Sequence, residues 1–158
     1  MKLDVCAAAV LAVAIGLTGT ACGNSDSATT TTGSSAATTT GSPVDSAQLP
    51  SLVPTPANSQ TTKGPDSIPD NGIHLHYQVN GAPNDVLSAY KAALESKGWA
   101  VTTIVTSGGA GGGGATYTGT NGSAYGVFDG GGFNTTTFLD VCTWPAKPAN
   151  PNCTRGDR

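Results

Sequence analysis

The chain has 158 residues, 22 of them glycine, and a formal net charge of −3 from seven basic and ten acidic side chains. Without a Lys/Arg cluster it has no means of neutralising a phosphate backbone, so nucleic acid is excluded as a partner. Glu95 is the single glutamate, and no G-x-S-x-G or H-E-x-x-H pattern occurs. The expectation is a protein that is not an enzyme and carries no cofactor.

Taken in chain order, Val5 to Leu17 is almost wholly Ala, Val, Leu, Ile and Gly, with Lys2 before it and small residues after it. A bilayer crossing needs about 20 apolar residues, so this is a short leader with a cleavage site and no transmembrane helix is expected in the mature chain. The run Leu17-Thr18-Gly19-Thr20-Ala21-Cys22 resembles a bacterial lipoprotein signal. The resemblance covers residues 1–22 and departs from the usual pattern at Gly19, where a large aliphatic residue is the rule, and at Asp4 beside Lys2. It implies that Cys22 becomes the first mature residue and carries a diacylglycerol thioether with its acyl groups, palmitate among them. That would place the protein on the extracytoplasmic face of the cell membrane. Gly19-Thr20-Ala21 equally fits a small-x-small site for plain secretion, which would cut the same bond and leave the thiol bare.

The cysteines bear on that choice. Cys6 leaves with the leader, while Cys142 and Cys153 are close enough in sequence to pair as a structural disulfide. Cys22 is then the odd one, a liability that lipidation would remove. From residue 22 to residue 66 the composition is Ser, Thr, Ala, Gly and Pro, with Thr29-Thr30-Thr31-Thr32 and Thr38-Thr39-Thr40. So little apolar surface reads as a disordered tether. Its Thr clusters resemble those that carry glycans in actinobacterial lipoproteins, although a plain solvated spacer fits as well.

Residues 67–158 are expected to form one small α+β domain. Ile73, Leu75, Tyr77 and Val79 alternate with His74, His76 and Gln78, which predicts a half-buried strand. Pro83, Asp85 and the stripe Val86, Leu87, Tyr90, Ala93, Leu94 predict a helix ending at Gly98. Trp99 to Thr106 reads as a strand, Gly108 to Gly114 as a flexible loop, and Ala115 to Phe128 as a hairpin with a type I′ turn at Asn121-Gly122. In that register Tyr117 faces Gly126 and Gly119 faces Ala124. A turn at Gly130-Gly131-Gly132 then leads to a last strand from Thr135 to Thr143. The economical architecture is one helix packed on a mainly antiparallel sheet of about four to five strands, behind a disordered N-terminal tether. The stretch Tyr90-Lys91-Ala92-Ala93-Leu94-Glu95-Ser96-Lys97-Gly98-Trp99 is similar to a helix-to-strand joint in small actinobacterial, especially mycobacterial, lipoproteins of unassigned function.

Among candidate sites, the glycine run contains G-x-G-x-x-G but leads into a strand and not a helix, so phosphate cradling fails. His74 and His76, at i and i+2, point to one side and could reach a metal or a carboxylate such as Asp140. Two ligands do not close a zinc site, and solvent-facing strand polars are the plainer reading. The aspartates sit mostly beside Gly, Pro or Asn, where turns and caps account for them. Trp144 and Phe133, if not core, could meet a protein or glycan. The function expected is therefore a lipid-anchored, non-catalytic binding module of the cell envelope with a protein or glycan partner. The alternative is a metal- or small-ligand-binding module using His74 and His76.

Overall fold

The computed structural model describes residues 43–155, which belong to one compact unit. The expectations for the leader, for Cys22 and for the tether up to residue 42 fall outside the described residues. A 3₁₀ turn at Ser46–Gln48 runs into α1 (Leu49–Leu52). Then follow β1 (Ser59–Ile68), β2 (Gly72–Asn80), α2 (Pro83–Ser96), β3 (Ala100–Gly109), β4 (Gly112–Asn121), β5 (Ala124–Phe133) and β6 (Thr136–Trp144). All neighbouring strands pair antiparallel, in the order β1-β2-β6-β5-β4-β3. The α+β architecture agrees with the sequence pattern, but the sheet has six strands and a second, short helix is present.

The extra strand and helix come from the segment expected to be tether. Asp45 caps the 3₁₀ turn through Oδ1 to the Ala47 amide at 2.9 Å, and Leu49 and Val53 are buried in the main core. Lying against β2, this segment receives the Trp99 indole N–H on the Leu52 carbonyl at 2.9 Å. β1 holds little apolar surface of its own and is exposed along nearly its whole length. Its hydrogen bonds to β2 place it, with Asp70 and Asn71 at positive φ in the connecting turn. A composition rule that counts apolar residues misses such an edge strand.

α2 packs on one face of the sheet. Pro83 opens it, Asp85 lies in the first turn, and Gly98 follows the Lys97 C-cap at φ +90°. Leu87, Tyr90 and Leu94 are buried against Leu75, Tyr77, Tyr117, Phe128, Leu139 and Val141. Close approach of α2 to the sheet needs a glycine beneath it. A Cβ on Gly130 would stand 2.4 Å from Leu87 Cδ2, and one on Gly126 would stand 2.5 Å from Phe128 Cζ. Phe128 in turn makes edge contacts with Trp99 at 5.2 Å and with Tyr90 at 6.2 Å between ring centroids.

Three turns differ from the sequence expectation, two of them because glycines pair here as strand residues. The run from Gly108 to Gly114 is no loop but the end of β3 and the start of β4, joined by Ala110-Gly111, both at positive φ. Gly130, Gly131 and Gly132 belong to β5, and the turn falls at Asn134-Thr135. In the β4–β5 hairpin only Gly122 has positive φ and Asn121 pairs with Ala124, so the loop is Gly122-Ser123 with glycine first, as in type II′ and not type I′. The register moves by two residues, putting Tyr117 opposite Phe128 and Gly119 opposite Gly126. A two-residue slip keeps every side chain on its expected face, which is why the core assignment survives it.

Within this core the Tyr90 hydroxyl is fully buried and has no hydrogen-bond partner. Burial, and then the nearby Tyr77 hydroxyl, push its pKa well above the ordinary tyrosine value. A raised folded-state pKa leaves stability constant below about pH 10 and lowers it as the unfolded chain begins to ionise above that. Tyr90→Phe is expected to leave stability at pH 7 unchanged or raised by up to about 1–2 kcal/mol, and to soften the alkaline loss. Denaturant unfolding at pH 7 and pH 10.5 checks this; a loss above about 1 kcal/mol at pH 7 would mean the hydroxyl is bonded.

Candidate functional site

The face of the sheet opposite α2 carries the polar chemistry. Because cross-strand partners point to the same side, the registers align one row perpendicular to the strands: Lys63 on β1, His76 on β2, Asp140 on β6, Asp129 on β5 and Thr116 on β4. One rank along lie Asp66, His74, Cys142, Val127 and Thr118.

The first row places two carboxylates side by side, since Asp140 and Asp129 are direct cross-strand partners. Like charges opposed in this way repel, and each therefore needs its own compensation. Asp140, 1% exposed, accepts at Oδ1 from His76 Nδ1 at 2.8 Å and from His74 Nε2 at 3.0 Å. An ionised carboxylate only accepts, which fixes the proton on Nδ1 of His76 and on Nε2 of His74. The His76 ring lies over Phe138, with centroids 6.0 Å apart. Asp129 accepts from the Thr116 hydroxyl at 2.6 Å and from Arg155 Nε. The hydrogen bond and charge of Asp129 raise the Arg155 pKa further and keep its guanidinium protonated.

Arg155 reaches this row because the C-terminal tail folds back over the face. The disulfide Cys142–Cys153, with Cα atoms 5.5 Å apart, pins it there. Cys153 packs on a second cluster of Tyr125, Val127, Cys142 and Trp144, and Lys147 Nζ lies 5.3 Å from the Tyr125 ring centre. The expected disulfide is thus formed, and its loop is a strap across the sheet.

His74 and His76 do meet Asp140, but they are not solvent-facing: His76 is 4% exposed and the His74 side chain 16%. Phe138 stacks on His76 and the strap lies beside His74, which strand alternation alone cannot foresee. Asp129 and Asp140 stand mid-strand, not in turns or caps, whereas Asp45 caps the 3₁₀ turn, Asp70 lies in the β1–β2 turn and Asp85 lies in the first turn of α2 without capping it. Trp144 is core, its indole N–H donating to the Pro69 carbonyl at 3.0 Å, while Phe133 is exposed. Sequence reasoning missed Asp129 and Arg155. The available signal was Asp129 as a polar residue in the outward alternation of β5, with a cation shortly after Cys153.

A cleft of about 350 Å³ opens beside His74, between the β1–β2 turn and the strap, with Asp70, Asn150 and Asn152 on its walls. The ligand atoms of His74, Cys142 and Cys153 lie within 4.8 Å of one another, but the sulfurs are bonded together and a disulfide is not a thiolate ligand. Among the described residues no helix is long and apolar enough to cross a membrane. Comparison with protein-family models, curated proteins and solved structures gives no match.

If the strap rests on its disulfide, reduction should cost about 3 kcal/mol of stability, the chain-entropy value for a loop of this size. It should also speed tryptic cleavage after Arg155, which the pinned tail holds against Asp129. With the disulfide intact, Asp140→Ala should cost about 1–3 kcal/mol by leaving buried His76 without its acceptor. Denaturant titration and timed proteolysis measure both; unchanged values on reduction would mean that the tail is held by its other contacts.

Proposed function

We propose that the protein is a lipid-anchored, extracytoplasmic lipoprotein whose domain acts by contact and not by chemistry. The observation that carries this reading is the Cys142–Cys153 bond, which commits both domain cysteines to each other. A structural disulfide belongs to an exported compartment, and with this pair closed the cysteine that ends the leader has no partner in the domain. Lipidation of Cys22 resolves that imbalance. Two acyl chains, at about 0.8 kcal/mol per buried methylene, hold a protein firmly where one does so only marginally.

The contact role is supported by how the polar groups are spent. Histidines, aspartates and Arg155 bond to one another across the strapped face, as structural pairings do, while apolar side chains stand out on β3 and at Phe133. The partner class this suits is another envelope protein or a glycan. Detergent-phase partitioning tests the anchor: the wild-type protein should enter the detergent phase and Cys22→Ser should stay in water. A wild-type protein that stays in water refutes lipidation.

A second reading rests on the convergence of His74 and His76 at one carboxylate oxygen. A cation bound there would exchange two hydrogen bonds for coordination by two imidazoles and Asp140, entering through the cleft beside His74. Zinc titration followed by thermal melting decides it. A rise in melting temperature that vanishes in His74→Ala/His76→Ala supports metal binding, and no rise supports the contact role.

A further inference from the structure

The two edges of the sheet are built differently. β1 carries the charges Lys63 and Asp66 and contains Pro65, which has no N–H to donate. These are the features that keep an edge from pairing with another chain. β3, at the opposite edge, has ten residues and neither a charge nor a proline, and its neighbour β4 is likewise uncharged. α2 does not cover it: past Val101 every residue of β3 is exposed.

The exposed side chains are also placed with symmetry. β3 runs from Ala100 to Gly109, so its midpoint falls between Ile104 and Val105. These two residues are 59% and 54% exposed, and the register irregularity between Thr103 and Val105 turns consecutive apolar side chains to solvent. In a strand paired antiparallel with its own copy in full register, the midpoint is the two-fold axis.

We propose that β3 is the interface of a symmetric dimer, in which two copies pair β3 to β3 and form one continuous twelve-stranded antiparallel sheet. At the centre Ile104 of each copy faces Val105 of the other. Backbone groups of both edges become hydrogen-bonded and an apolar patch is covered. Absence of charge on β3 and β4 matters here, because any charge on a self-pairing strand meets its own image near the axis. The protected β1 edge leaves no second site, so association closes at two. This inference deepens the contact reading by naming the contact surface, and it is independent of the lipid.

The test uses the full chain as Cys22→Ser, so that detergent micelles do not obscure its mass, in sedimentation equilibrium from about 1 μM to about 1 mM. The expected result is a concentration-dependent doubling of mass. Val105→Lys and Ile104→Lys, each at an exposed site, should weaken it at least about tenfold without changing the circular dichroism spectrum. Amide exchange along residues 100–109 should slow with concentration while that along 59–68 does not. A monomer throughout, a dimer indifferent to both lysines, or protection on β1 instead of β3 would each overturn the proposal. Detergent-phase partitioning of the wild type is unaffected by any of these outcomes, so failure of the dimer and failure of the anchor are separable.

Discussion

A sheet with helix on one side only must still cover its other face, and here one covalent bond between β6 and the tail solves that problem. Six strands present two broad faces, and α2 with the 44–56 segment covers one of them, packing Leu49, Leu87 and Leu94 against sheet residues such as Phe128. No second helix exists among the described residues to cover the other. The Cys142–Cys153 bond draws the tail over it, buries Trp144 and Tyr125, and brings Arg155 to the middle of β5. The cysteines stand eleven positions apart in sequence, a loop short enough to be held tightly and long enough to span adjacent strands.

That strap dictates the chemistry beneath it. A face covered by a thin loop of Pro and Asn cannot offer a deep apolar core, and the sheet meets it with a polar row in which both buried carboxylates have partners. Asp140 and Asp129 would repel across the β5–β6 pair if left alone. The imidazoles on one side and the guanidinium on the other turn the repulsion into a chain of charge-assisted hydrogen bonds. Asp140 joins β2 to β6 and Asp129 joins β4 and β5 to the tail, so the row ties the order of these strands to the docking of the tail. The same residue types that suggest a metal site in the sequence are thereby occupied in holding the fold.

How much of this could be read beforehand depended on whether a signal was local. The β2 alternation, the α2 stripe with Pro83 and Gly98, and the pairing of Cys142 with Cys153 are written in short stretches of sequence and stand in the structure. That His74 and His76 share one side follows from two-residue periodicity; that Asp140 holds both depends on the pairing of β2 with β6. What was illegible depended on partners distant in sequence. β1 is a strand because β2 offers it a hydrogen-bonding edge, and nothing in Thr61-Thr62-Lys63-Gly64-Pro65 says so. The glycines 108–114 and 130–132 look like loops because glycine usually marks turns, yet they pair as strands at the distal ends of β3, β4 and β5. There Gly130 makes room for α2, a packing need that becomes visible only once helix and sheet are together.

The contrast between the edges bears on the whole design. β1 carries charges and a proline, which keep an edge strand from pairing with another chain. β3 has neither. An uncharged edge ten residues long, with Ile104 and Val105 exposed at its centre, is a hazard in a protein diffusing freely at high concentration. It is far less so where encounters are limited to one kind of partner in one orientation. A lipid on Cys22 would supply that limit, since copies confined to one surface meet side by side and in a restricted set of orientations, and such confinement raises their effective concentration without adding a contact. On this argument an anchored pair would be tighter than the same pair in bulk solution, although the β3 edges themselves supply every contact.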